Sequence, residues 1–310
     1  MSVETTTEAT PFVVIRAEVR RVQRVSPNFV RVTFGGDALD DFATPGAVFD
    51  LRIKLIFPPA SGVLPEFDGR DGWYQGWLAI DEAERGSMRT YSIRDLRVTD
   101  AGTEMDIDFV LHLAPGLTGP ASSWANQASE GDELIIAGPR RGHDWGGIEY
   151  APGDATSVLL AGDETAAPAI ARVLEDAPAD LRGIAFIEVS DAADALEIAA
   201  PAGVQVRWLP RGDAPHGTLL LHTVLEHLGA APAAEVRDVE TESTVWETPT
   251  FSGLGEELDS TAPHADRYFW IAGESGVVTT LRRHLVKDVG IDRTQVAFMG
   301  YWRRGVAMKG

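Results

Sequence analysis

Not one cysteine occurs in the 310 residues, which excludes disulfides, thiolate metal sites and a Cys-ligated iron–sulfur cluster. Basic residues are also scarce: 27 Lys plus Arg stand against 47 Asp plus Glu, a formal charge of −20. Nucleic acid is held mainly by Lys and Arg neutralising phosphates, so it is not expected as a partner. Anionic membrane surfaces are disfavoured for the same reason. Long apolar runs are missing too, since stretches such as Ser157-Val158-Leu159-Leu160-Ala161 fall far short of the ~20 residues of a membrane-spanning helix. Met1 to Thr10 is acidic and Thr-rich, without the basic and apolar regions of a secretory signal. A soluble, cytoplasmic monomer is the expectation. Nor is there a GxGxxG, a Walker loop, a GxSxG or an HExxH, the usual supports of dehydrogenase, kinase, hydrolase and zinc-protease readings. The seven His form no compact ligand set. His222 and His227 lie five apart on a predicted helix, on different faces, so no metal site is expected.

What is present suits a folded protein. Apolar residues make up 44% and charged residues 24%, a composition that buries a core, and at roughly 100–200 residues per domain the length suggests two domains. The first half reads as β structure, with Val/Ile/Phe-rich runs at Phe12 to Val25, Phe29 to Phe34, Phe49 to Phe57, Ser87 to Arg94 and Met105 to Leu113. Short strands without intervening helices predict a small antiparallel β-barrel over 11–148. One helix interrupts it, opening at Gly119-Pro120 and stopped by Gly131. Past the Gly/Pro-rich stretch Trp145 to Asp154, strands alternate with helices. The strands are Ser157 to Ala161, Gly183 to Val189, Val204 to Leu209, Tyr268 to Ala272 and Gln295 to Tyr301. The helices are Glu164 to Glu175, Gly217 to Leu228 and Ser275 to Lys287. That pattern predicts an α/β domain over 152–310 with a doubly wound parallel sheet, whose ligands sit outside the carboxyl ends of the strands. Within it, 230–266 is acidic and aperiodic yet holds Trp246 and Phe251, which reads as a long surface loop anchored by Trp246, with disorder as the alternative.

Three local motifs carry chemistry. On a strand, Arg89, Tyr91 and Ile93 point one way and Thr90, Ser92 and Arg94 the other. One segment thus offers a cation for pyrophosphate, a ring to stack on isoalloxazine and hydroxyls for its edge. An edge strand with a surface Arg and a half-buried Tyr is the plainer alternative. Downstream, a strand ending in His112 leads to Gly119-Pro120-Ala121-Ser122, a helix start whose N–H groups can receive an anion. Finally, Gly162-Asp163-Glu164-Thr165 joins the first strand of the α/β half to its helix, where a nucleotide would lie. An acidic pair is unusual beside phosphate, and capping by Asp163 or Thr165 is the other account.

Taken in order, these motifs resemble the siderophore-interacting protein family, FAD-dependent ferric-siderophore reductases related to the ferredoxin-reductase superfamily. Gly138-Pro139-Arg140, Ala272-Gly273-Glu274-Ser275, Leu281-Arg282-Arg283-His284-Leu285 and Gly300-Tyr301-Trp302-Arg303-Arg304-Gly305 extend the resemblance from about Phe12 to Gly305. It implies an FAD-binding barrel and an NAD(P)H-binding α/β domain. By that likeness Arg89 holds the FAD pyrophosphate, Tyr91 stacks on the flavin and Ser92 approaches its reactive edge. Thr90, Val110, His112, Gly119, Ala121 and Ser122 complete the cradle, and Thr165 closes over it. Gly162, Asp163, Gly273 and Glu274 flank the nicotinamide nucleotide, NADPH or NADH. No catalytic group beyond the flavin is implied, because it alone passes electrons from nicotinamide to iron. Fe(III) bound by hard oxygens is released on reduction, since the lower charge of Fe(II) is held more weakly. Lys54, Arg141, Arg304 and Lys309 are the candidate cations for the anionic ferric siderophore. The sequence departs from the family pattern at Pro115-Gly116-Leu117-Thr118, which lengthens the link after His112. Arg207 or Arg211 is a candidate for a 2′-phosphate or a plain surface charge. The alternatives in function are a general flavin or ferredoxin-type reductase and a non-catalytic siderophore-binding protein.

Overall fold

Seven runs of β-forming residues in the first half pair as one antiparallel sheet in the computed structural model, which describes residues 10–113, 118–143, 146–229, 245–249 and 264–304. They are β1 (Phe12–Arg24), β2 (Phe29–Gly35), β3 (Arg52–Phe57), β4 (Ser87–Ser92), β5 (Asp95–Thr99), β6 (Gly102–Val110) and β7 (Glu133–Pro139), in the order β4-β3-β7-β1-β2-β6-β5. The two edge strands, β4 and β5, are separated in the chain only by Ile93 and Arg94. Ile93 N–H donates to Leu51 O on one side and Arg94 N–H to Asp106 O on the other. Chain continuity therefore curls the sheet and joins its edges. Its interior is filled by Val32, Phe34, Leu55, Phe57, Ile107, Phe109, Leu134 and Ile136.

Three elements here lie outside the sequence expectation. β7 carries the continuous run Leu134-Ile135-Ile136-Ala137, buried on both faces: Leu134 and Ile136 line the barrel, while Ile135 packs outward with Trp77, Ile56 and Met88. A strand covered on both sides shows no alternation. Helix α1 (Trp73–Leu78) supplies that outer cover, and β5 is a short charged edge. Helix α2 (Pro120–Gln127) forms where Pro120 at the first turn predicts it.

The second half alternates β8 (Ser157–Gly162), α3 (Ala167–Asp176), β9 (Arg182–Val189), β10 (Gly203–Pro210), α4 (Thr218–His227), β11 (Trp246–Glu247), β12 (Arg267–Glu274), α5 (Ser275–Arg283) and β13 (Val296–Trp302). Strand order is β10-β9-β8-β12-β13-β11. The first five strands are parallel, as expected. The sixth, β11, is antiparallel, so the sheet is mixed rather than purely parallel. Alternation decides the two faces: Val158 and Leu160 point to α3, whereas Leu159 and Ala161 point to α4 and α5. The chain leaves β8 toward β10 and returns on the other side at β12, so the switch point lies at the carboxyl ends of β8 and β12. Among the described residues, no strand lies between Arg140 and Thr156, where the domain boundary was expected.

Side chains lock the halves together. Asp50, fully buried, accepts from the Trp270 indole at 2.9 Å and from the Glu149 and Tyr150 N–H groups. Asp176 at the end of α3 accepts from Val48 and Phe49 N–H, and Arg94 is bidentate to Glu175 at 2.6 and 2.7 Å. Most of 230–266 falls outside the described residues. Trp246 does anchor what is described there, stacked on Tyr301 at 6.1 Å. Among the described residues, no helix is long and apolar enough to cross a membrane.

Candidate functional site

On the barrel, β3 and β4 pair so that Arg52 faces Ser92, Lys54 faces Thr90 and Leu55 faces Arg89. Arg89 and Tyr91 share one side of β4. The Tyr91 ring lies 4.7 Å from Phe109 and 6.4 Å from Phe57, and burial pushes its phenol up. Arg89 is half-buried, its Nη1 donating to Met88 O at 2.6 Å, and burial lowers its pKa. It has no carboxylate partner among the described residues, in a chain with 20 more acids than bases. A desolvated guanidinium without an anion suits a bidentate pyrophosphate.

Beside it, α2 turns its first residues outward. A Cβ at Gly119 would meet nothing within 4 Å, which leaves the helix start open. Ser122 is buried, and its Oγ accepts from His112 N–H at 2.8 Å, fixing the β6 end against α2. Ala121 is buried as well. Val110 packs against the core of the second half. Pro115 to Leu117 lie outside the described residues. Together Arg89, Tyr91, Ser92, the His112 segment and the α2 start fit a flavin dinucleotide by charge, ring and open backbone.

The other face of the same strand pair holds a second feature. Arg52, Ile53, Lys54, Thr90 and Gly147 line a cavity of about 140 Å³. Lys54 Nζ donates to Thr90 Oγ1 at 2.7 Å and has no carboxylate partner among the described residues. Burial, then the neighbouring Arg52 charge, lowers its pKa. Two of the other expected substrate cations, Arg141 and Arg304, are engaged elsewhere. Arg141 is spent on barrel oxygens, those of Ala43, Leu39, Phe42 and Thr103, which makes it a structural pin. Arg304 lies by the sheet end, its N–H on Glu274 Oε1 at 3.2 Å and its Nη2 3.4 Å from His216 O. Lys309 is outside the described residues.

At the switch point the expected quartet does converge. Asp163 Oδ2 accepts from Glu274 N–H and Trp302 Nε1, both at 2.8 Å, while Oδ1 accepts from Thr165 N–H and Oγ1 at 2.9 and 2.5 Å. Neither Asp163 nor Thr165 caps α3, whose N-cap is Ala166 without a side-chain cap hydrogen bond; the Asp163 carboxylate instead holds Thr165 in the turn that precedes the helix. Gly273, at φ 134°, is required by the protein itself, because a Cβ would stand 2.6 Å from the Asp163 carboxylate. At Gly162 a Cβ would come within 2.4 Å of the Ala166 Cβ. Glu274 caps α5 through Gly276 and Val277 N–H.

Two more residues complete this end, Arg211 and His216, of which the sequence pointed only to the first. Arg211 is bidentate to Glu164 at 2.8 Å, which occupies the guanidinium considered for a 2′-phosphate; Arg207 instead lies over the Phe186 ring at 5.5 Å. His216 places Nε2 3.4 Å from Asp163 and 3.7 Å from Glu164. Burial disfavours its charge, yet the two acids push its pKa up to about 10. Burial likewise opposes the charges of Asp163 and Glu164, but His216 and, for Glu164, Arg211 hold both below the usual carboxylate range. These three groups could surround a cation; with both Asp163 oxygens doubly hydrogen-bonded, a proton on His216 is the occupant the geometry favours. Trp302 spans the halves, 5.0 Å from the His216 ring and 6.1 Å from that of His112.

A curled antiparallel sheet beside a wound α/β sheet is a fold shared with ferredoxin reductases. The ferredoxin reductase of carbazole 1,9a-dioxygenase shares that fold with a TM-score of 0.55 at 18% identity, over 95% of this chain and 71% of its own. Within this class, residues 18–143 match the siderophore-interacting FAD-binding domain and residues 155–305 the siderophore-interacting protein model. The chain belongs to the siderophore-interacting protein family. A siderophore utilization protein from T. fusca is similar with a TM-score of 0.70 and 30% identity, covering 97% of this chain and 96% of that one. The NADPH-dependent ferric-chelate reductase of Escherichia coli K12 is 30% identical over 92% of this chain and 91% of its own. The ferric vibriobactin reductase ViuB of Vibrio cholerae is 29% identical over 92% and 88%.

Proposed function

We propose that this protein is an FAD-dependent NAD(P)H:ferric-siderophore reductase of the cytoplasm that releases iron as Fe(II). The observation that carries the reading is the pair of half-buried cations, Arg89 and Lys54, without carboxylate partners among the described residues, on neighbouring strands of a strongly acidic chain. One suits a resident dinucleotide and the other an anionic chelate beside it. The ferric-chelate reductases among its relatives support the same reading.

A bound flavin supplies the chemistry that side chains lack, taking two electrons from a nicotinamide and giving them up singly. The protein binds and orients. Arg89 holds the pyrophosphate, with Thr90 and Ser92 at the strand edge. Tyr91 offers a ring fixed by Phe57 and Phe109, so little rotamer freedom is lost on stacking. His112, Val110, Gly119, Ala121 and Ser122 shape the remaining wall, and Thr165 faces it from the second half. Gly162, Asp163, Gly273 and Glu274 form the floor over which the nicotinamide lies. Arg52, Lys54 and Thr90 attract an anionic ferric chelate that a charge of −20 would otherwise repel.

An anaerobic visible spectrum tests this, recorded before and after NADPH and again after a ferric siderophore. Flavin bands should bleach and then recover as Fe(II) is trapped. A chain that takes up no FAD would be a siderophore-binding protein instead. Bleaching without recovery on iron would make it a flavin reductase for another acceptor.

A further inference from the structure

Arg52 and Lys54 lie two residues apart on the same face of β3, so two like charges share one cavity rim. Such a pair repels unless something holds it. Glu149 takes Arg52 Nη2 on one side. On the other, the Arg52 guanidinium carbon sits 4.4 Å above the Trp246 ring, within reach of a cation–π attraction. Trp246 comes from the second half. It pairs through β11 with Met299 of β13, stacks on Tyr301 with planes 24° apart, and is followed by Glu247, bound to Arg282 of α5 at 2.8 Å. Tyr301 in turn stands edge-on to Trp270, which is tied to Asp50 at the domain interface. The barrel cation is thus seated on a ring whose own position is fixed by the α/β sheet.

We infer that Trp246 is a positioning residue of the chelate site: it holds Arg52 at the cavity rim beside Lys54, so that the two halves together build a two-cation clamp for polyanionic ferric chelates. This rests on the reading of the Lys54 cavity as the chelate site and adds to it Arg52, Trp246 and a selection by charge. Without the ring, the Arg52 side chain is free to swing away from Lys54, since like-charge repulsion drives it outward and Glu149 alone constrains one arm. The clamp then offers one ordered cation instead of two. A trianionic tris-catecholate complex gains from both, whereas a cationic tris-hydroxamate complex gains from neither.

The test is binding rather than turnover, by calorimetry on the oxidised, flavin-loaded full chain. Redox-inert Ga(III) complexes of a tris-catecholate and of a cationic tris-hydroxamate siderophore serve as probes. Wild type should prefer the trianionic complex. Trp246→Leu should weaken it about five- to tenfold, and Trp246→Phe, which keeps a ring face, should stay within about threefold, with flavin absorbance unchanged in both. Trp246→Leu binding as tightly as wild type would overturn the clamp while leaving the Lys54 site standing. A wild type that binds neither complex would overturn the chelate site itself. Arg52→Gln guards against a misfolded Trp246 variant: it should lose the preference for the trianionic complex, and the double variant should lose no more than either single one. Additive losses would sink the idea that the ring acts through Arg52.

Discussion

On the barrel, Arg89 is a half-buried cation with no carboxylate to answer it among the described residues, whereas at the carboxyl end of the C-terminal sheet the protein answers its own buried charges. Glu164 has Arg211, and Asp163 has four hydrogen-bond donors with His216 close by. Glu188 accepts from Gly217 and Leu220 N–H at the start of α4, and Glu274 caps α5. The difference fits two kinds of ligand. On the proposed reading, a flavin that stays bound completes the electrostatics around Arg89, so the barrel leaves that cation open. A nucleotide that binds and departs on every turnover must leave behind a floor that is stable alone.

The sharpest way to break this comparison is to open a charge in the self-satisfied half. Arg211→Met leaves the Glu164 carboxylate buried with only His216 nearby. Removing one partner of a buried pair costs about 3–5 kcal/mol, so the melting temperature should fall by on the order of 10 °C. Adding Glu164→Gln should recover much of that loss. An unchanged melting temperature for the single variant would mean that the pair is solvated. The converse holds on the barrel. Arg89→Ala removes a cation that the apoprotein does not pair, so folding should be nearly unaffected while FAD affinity drops about 10- to 100-fold. Full flavin occupancy after dilution and gel filtration of that variant would remove Arg89 from the pyrophosphate site.

How much of this was legible in the sequence follows the range of the interactions. Strands β1, β2, β3 and β6 showed themselves because one face of each meets the core. β7 did not, because α1 covers its second face through Trp77, a contact between residues far apart in the chain. The β8 turn and the Ala272-Gly273-Glu274 segment were readable as strand ends that a nucleotide would approach. What Gly273 is for was not, since its missing Cβ makes room for Asp163, 110 positions earlier. Arg211 resembled a phosphate ligand until its bidentate contact with Glu164 placed it in a buried pair. Trp246 was legible for a simple reason: a large ring in an acidic, aperiodic stretch needs burial. Its contact with Arg52 was not, because it depends on how the halves dock.

The smallest expected effect concerns acid. Asp106 in the barrel and Asp194 at the domain interface are both buried, which opposes their charge. Asp106 is held below its ordinary range by Arg97 and Thr33. Asp194 is held low by Asn28 and Ser26 across the interface. A carboxyl whose folded pKa lies below the unfolded value of 3.8 contributes stability that is complete above that value and fades as pH falls through the lower folded one. Wild type should therefore lose stability below about pH 4. Asp106→Asn and Asp194→Asn should each be less stable at pH 6, by about 1 kcal/mol, with the deficit shrinking toward pH 3. Because Asp194 reaches from the second half into the barrel, its variant should also raise hydrogen exchange at Asn28 and Phe29, while Asp106→Asn should raise it along β5 and β6. Identical exchange patterns from the two variants would mean that the halves unfold as one unit, and that the division of charge between them has no counterpart in local stability.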